Sequence, residues 1–175
     1  MRTSIDIKKV YVFSHREFDE TMKHNGLTSE NVGDDISNAY ISITSSDDVN
    51  ENYLTNPWPH YFDGKSDNVL NISFDDIGED ELEHRGVKFF GITESQAKQI
   101  VDFIEEHKGK NFFIHCRAGR SRSQGIARYI LDMYGEGYGY FEDYSERLEN
   151  PCITPNQRVV RMLKREFYKQ FGYFE

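Results

Sequence analysis

Two rhythms of apolar residues run through the chain. Lys9 to Phe13 carries Val10 and Val12, and Ala39 to Thr44 alternates Ala39, Ile41 and Ile43 with polar or hydroxylated neighbours. A period of two predicts strands at both places, and Asn68 to Phe74 reads as a third. Asn111 to His115 contains the continuous run Phe112-Phe113-Ile114, the mark of a buried strand. The helical rhythm appears elsewhere. Ala97, Ile100, Val101 and Ile104 share one face of a segment opened by a Thr93/Gln96 capping box and closed by Lys108-Gly109. Arg16 to His24 reads as a short helix ended by Asn25-Gly26. A helix after residue 122 continues through Ile126, Ile130 and Met133, and the glycine-rich run Gly135 to Tyr140 is expected to break it. In the last helix Val159, Val160, Leu163 and Phe167 form the apolar face, with Thr154 as the expected cap, Pro155 first and Gln157 completing a second capping box.

Between these elements, 28–38 and 45–68 are rich in Asn, Asp, Ser, Gly and Pro and read as loops. The second holds Asn56 to Phe62, an aromatic segment around Trp58 whose expected role is packing, lining a substrate surface being the other reading. Asp75 to Glu83 carries six carboxylates in nine residues and runs on past Gly86 and Gly91, so it is expected to be a long mobile lid. The order strand, helix, strand, loop, helix implies a right-handed crossover and a parallel sheet. The expected fold is α/β: a single domain over 1–175, a central mainly parallel sheet flanked by helices, and a ligand at the carboxyl ends of the strands. No repeat, linker or low-complexity segment interrupts it.

Composition narrows the function. With 175 residues, and with 13 Phe, 11 Tyr and Trp58 offsetting a hydrophobic content of 37%, the chain has the material for one core. A formal charge of −9 argues against a nucleic-acid or anionic-membrane partner. Two cysteines, Cys116 and Cys152, do not make a disulfide framework and point to a reducing compartment. No charged opening followed by an apolar stretch and no run of membrane-spanning length is present, so the cytoplasm is the expected location. Cys152 is expected to be an ordinary thiol, the other reading being a trap for an oxidised Cys116. Six scattered histidines and no ligand spacing imply neither metal nor other cofactor.

The chemistry concentrates at His115-Cys116-Arg117-Ala118-Gly119-Arg120-Ser121-Arg122-Ser123, between the buried strand and the following helix. No proline interrupts the segment, so its N–H groups can converge on an anion at a helix N-terminus. That field favours the thiolate of Cys116, and Arg122 brings a planar fork matched to two phosphoryl oxygens. Nucleophile and clamp face one tetrahedral anion.

This string, Cys-x5-Arg inside His115-Cys116-x-x-Gly119-x-x-Arg122-Ser123, resembles the loop of the cysteine-based protein tyrosine and dual-specificity phosphatases. The resemblance is specific over roughly 68–134. It implies that Cys116 attacks phosphorus, that Arg122 holds the equatorial oxygens, that Ser123 helps the thiolate leave, and that His115 fixes the loop and tunes the thiol. Arg117, Ala118, Gly119, Arg120, Ser121 and Arg122 would bind the substrate phosphate. It further implies a general acid upstream, just after a strand. Asp76 of Phe74-Asp75-Asp76 is the first choice, with Asp75 and then Asp80 left open. The activity implied is metal-independent hydrolysis of a phosphorylated protein or peptide at phosphotyrosine, and also at phosphoserine or phosphothreonine. Arg117 and Arg120 keep open a polyanionic substrate such as a phosphoinositide, inositol phosphate or nucleotide. A phosphate-binding protein without turnover is the reading from another class.

Overall fold

The computed structural model of the chain describes residues 8–55, 57–138 and 152–172. Numbered in chain order among those residues, the strands are β1 (Val10–Ser14), β2 (Asn38–Thr44), β3 (Val69–Ser73), β4 (Glu81–His84), β5 (Val87–Phe90) and β6 (Asn111–Cys116). The helices are α1 (His15–His24), α2 (Asp47–Asn52), α3 (Glu94–Glu106), α4 (Arg122–Tyr138) and α5 (Gln157–Phe171), and a single 3₁₀ turn covers Val32–Asp34.

Four strands form a parallel sheet in the order β1-β6-β2-β3. Ile114 lies at its centre, paired with Val12 of β1 and Ile41 of β2. Alternation sorts the side chains. Val10, Val12, Ala39, Ile41, Ile43, Ile72, Phe112 and Ile114 join the core beneath α3, α4 and α5. On the other face Tyr40 packs with Phe18 and Met22 of α1 and with Phe62, against the half-buried Phe13 and Phe113. The expected α/β architecture is thus observed, and the carboxyl ends of β6 and β2 form one edge. No helix among the described residues is long and apolar enough to cross a membrane.

Four local features differ from the sequence reading. The 45–68 stretch contains α2, whose one buried apolar residue, Val49, gives no periodic signal. The supposed lid folds into the antiparallel β4–β5 hairpin, turned by Arg85 (φ 52°) and Gly86 (φ 78°). Two consecutive left-handed residues suit the two-residue hairpin turn, but Arg-Gly is a weaker cue than Asn-Gly, and β4 is exposed throughout. Helix α4 passes Gly135 and reaches Tyr138. Buried Tyr134 and contacts with β1, β6 and α5 outweigh a glycine cost of about 1 kcal/mol; residues 139 and 140 of the expected break lie outside the described residues. Finally, Asn156 rather than Thr154 caps α5, its side chain accepting from Val159 N–H at 3.1 Å. The backbone N–H groups of Thr154 and Asn156 bond instead to carbonyls of the loop that precedes α4.

Candidate functional site

Strand β6 ends at Cys116 and α4 starts at Arg122, so the chain must turn within 117–121. Four loop carbonyls face outward. Arg117 O accepts from His15 N–H (3.1 Å), Arg120 O from Thr154 N–H (2.9 Å) and Ser121 O from Asn156 N–H (3.0 Å). Gly119 O accepts from the Gln124 side-chain amide at 3.0 Å. With these carbonyls tied outside, the N–H groups of Gly119 and Ser123 reach the Cys116 sulfur, in keeping with an anion-binding nest. Gly119 permits the turn: its φ is +68°, and a Cβ there would lie 2.6 Å from the carbonyl carbon of Phe13 and 2.7 Å from Ser14 N.

The Cys116 thiol is buried, with its Sγ 3.0 Å from Ser123 Oγ. Burial pushes its pKa up, but the Arg122 charge, the Ser123 hydroxyl and the N–H groups of Ser123 and Gly119 together bring it below the ordinary thiol value. Donors aimed at sulfur stabilise the thiolate, the nucleophilic form.

Arg122 is buried and reaches across the sheet ends. One terminal nitrogen donates to Phe74 O at 2.7 Å and to Thr44 O at 3.3 Å. Its Nε is buried with no hydrogen-bond partner among the described residues. The guanidinium is thus held by carbonyls at one nitrogen while its Nε, left without a protein acceptor, can take an anion from outside the chain.

The two aspartates after β3 occupy different settings. Asp75 is buried, its carboxylate accepting from Ser46 N–H (2.9 Å), Ser46 Oγ (2.5 Å) and Phe90 N–H (2.8 Å). It fastens the approach to α2 and the end of β5 to β3. Asp76 is exposed, and its Oδ1 accepts from Ser121 Oγ (2.6 Å) and the Asn156 amide (2.7 Å), which holds it on the rim of the loop. Asp80 is exposed and pairs with Arg158 at 2.5 Å.

Alternation directs His115 to the sheet face opposite the core that contains Cys116. There it is fully buried against Phe18 and edge-on to His15. Burial first, then the neighbouring His15, holds its pKa down at about 3, so the ring is neutral. Trp58 is 42% exposed, stacks on His15 at 4.8 Å, and lies 5.6 Å beneath the Arg117 guanidinium. Trp58 thus flanks the loop, while Tyr61 and Phe62 of the same segment pack as expected. Arg117, Ala118 and Arg120 are exposed. Arg120 lines an open groove with Cys152, Gln157 and Arg161, and no disulfide joins Cys152 to Cys116.

Sequence reasoning missed Gln124, Asn156, His15 and Ser46, which fix the loop and the two aspartates. Only Asn156, beside a proline at a helix start, carried a readable cue.

No family model matches the chain, and no curated protein matches it. Solved structures do. A human tyrosine phosphatase-like serine/threonine/tyrosine-interacting protein is 16% identical, with a TM-score of 0.46 and 92% of each chain covered. Tk-PTP in its active form is 21% identical at a TM-score of 0.46, covering 95% of this chain and 97% of that one. DUSP15 is 18% identical at a TM-score of 0.46, covering 98% of this chain and 86% of that one.

Proposed function

We propose that the chain is a metal-independent, cysteine-dependent phosphoric monoester hydrolase acting on phosphorylated proteins or peptides, phosphotyrosine above all. One observation carries this reading: a buried Arg122 Nε without an acceptor lies in the same loop as a thiol whose pKa is lowered by Arg122 and by inward N–H groups. The loop N–H groups of 117–122 and the Arg122 fork take the three non-bridging phosphoryl oxygens. Cys116 Sγ attacks phosphorus as the P–O ester bond breaks, and Asp76 gives its proton to the leaving oxygen. Water then attacks the cysteinyl phosphate, Asp76 takes its proton, and the P–S bond breaks to release inorganic phosphate. The Ser123 hydroxyl donates to the departing thiolate across the 3.0 Å contact.

A second reading, a polyanionic small substrate such as a phosphoinositide, inositol phosphate or nucleotide, draws on Arg120 and Arg161 along the open groove. The experiment is phosphate release from para-nitrophenyl phosphate in EDTA, comparing the intact protein with Cys116→Ser. Turnover by the intact protein alone supports the mechanism. Activity retained by Cys116→Ser, or abolished by EDTA in the intact protein, overturns it. Absence of turnover by either protein on this ester, on phosphopeptides and on inositol phosphates leaves a phosphate-binding protein without catalysis as the correct reading.

A further inference from the structure

The proposed reaction occupies one end of a larger cleft. Asp76, Arg117 and Arg122 line that end. The remainder, within a volume of about 440 Å³, is bounded by Val49, Tyr53 and Leu54 of α2 and its exit and by Ile77, Leu82 and Phe89 of the hairpin segment. In a chain of mean hydropathy −0.73, Tyr53 is 56% exposed and Leu82 42% exposed here. Exposed apolar groups gathered at a cleft point to a ligand more than scattered ones do.

The walls are braced before anything binds. Asp75 ties Ser46 to Phe90. Asp48 accepts from Lys88 N–H at 2.5 Å, and Tyr53 meets Phe89 edge-on at 5.7 Å. Helix α2 and strand β5 therefore form one preorganised groove that costs little ordering on binding.

The size and charge of the groove select its occupant. A cavity of roughly 150 Å³ suffices for a benzene ring, so the cleft has room for an aryl phosphate and for a further side chain. Beyond the reactive end, where Asp75 and Asp76 stand beside Arg117 and Arg122, the residues that line the two walls include no lysine or arginine and are mainly apolar. Such walls offer the further phosphates of a polyanion no cationic partner and suit an apolar side chain of a peptide.

Resting on the phosphatase reading above, we propose that the α2/β4–β5 groove is a specificity subsite for an apolar side chain flanking the phosphotyrosine of a peptide substrate. The test is kcat/KM for phosphate release from phosphotyrosine peptides carrying Leu or Phe, against Ser or Asp, at each of the two positions on either side. The intact protein is expected to favour the apolar peptide about tenfold at one or more positions, as burial of most of one such side chain provides. That preference should shrink to under twofold in Leu82→Asp and, separately, in Tyr53→Ser. Turnover of para-nitrophenyl phosphate and of every peptide with no flank preference overturns the subsite while leaving the phosphatase reading intact. Faster turnover of a soluble inositol phosphate or a short-chain phosphoinositide than of any peptide overturns the peptide assignment. No turnover of any of these esters overturns both.

Discussion

Cys116 Sγ and Ser123 Oγ lie 3.0 Å apart across the mouth of one loop, although seven residues separate them in sequence. In the proposed mechanism the hydroxyl would serve whichever species bears charge on sulfur, the entering thiolate or the leaving one. Alkylation of Cys116 by iodoacetamide, followed peptide by peptide, should therefore have its midpoint below the ordinary thiol value of about 8.5. Ser123→Ala should move that midpoint upward, since one of the donors that lowers the thiol is removed. It should also slow breakdown of the cysteinyl phosphate, seen as a burst of nitrophenol before a slower steady state. An unchanged midpoint in Ser123→Ala would refute the role of the hydroxyl.

The adjacent aspartates should separate cleanly on mutation. Asp76→Ala should lower kcat by roughly 10²–10⁴, the contribution of a positioned general acid, with little effect on the unfolding midpoint. Asp75→Ala should leave the Ser46 and Phe90 donors without their buried acceptor, a loss of about 2–4 kcal/mol. A denaturant titration of both variants beside their rates checks the assignment. The opposite pattern would make Asp75 the acid.

Where the chain encodes local structure by strong period, the sequence was transparent. The core strands through Val12 and Ile41 were readable by alternation, the one through Ile114 by its continuous apolar run, and α3 by its Thr93/Gln96 box, which forms as a reciprocal pair of hydrogen bonds. The placement of Cys116 and Arg122 on one loop between β6 and α4 followed from that reading, but how the loop is held did not. Its carbonyls are tied by His15, Gln124, Thr154 and Asn156, and three of these partners lie as far off as the start of α1 and the approach to α5 and leave no local trace in sequence. Helix α2 and the β4–β5 hairpin were lost for a different reason. Both are short, mostly exposed and stabilised by side-chain ties such as Asp48 to Lys88, so tertiary contacts decide them where periodicity is silent. The choice between Asp75 and Asp76 was likewise undecidable along the chain, because it depends on which carboxylate Ser46 and Phe90 reach.

Gly119→Ala should be among the most damaging single-methyl additions in the molecule. The residue is left-handed, and the new Cβ would meet backbone of Phe13 and Ser14, which cannot swing aside as a side chain can. A loss of about 1–3 kcal/mol in stability is expected, together with loss of inorganic phosphate as a competitive inhibitor. Measured by denaturant unfolding and inhibition, retention of phosphate affinity would show that the loop does not depend on this turn.

Stability should fall on acidification through the histidine range. His115 is held at about 3 when folded, against about 6.5 when exposed, and burial lowers His15 and His60 as well. Between those values these histidines bind more protons in the unfolded chain than in the folded one, so the stability they contribute above pH 6.5 is lost progressively as pH falls toward 3. His115 alone contributes a slope of up to about 1.4 kcal/mol per pH unit in that window. The other charges facing it do not reverse this, because His15, His60 and Arg122 all disfavour a proton on His115 and Asp19 acts on His15. Replacing His115 by Gln, which does not titrate, should flatten the dependence of unfolding free energy on pH between 6.5 and 4, even if it lowers stability at pH 7.5. Denaturant titrations at closely spaced pH values give the two slopes, and equal slopes would locate the acid sensitivity elsewhere in the fold.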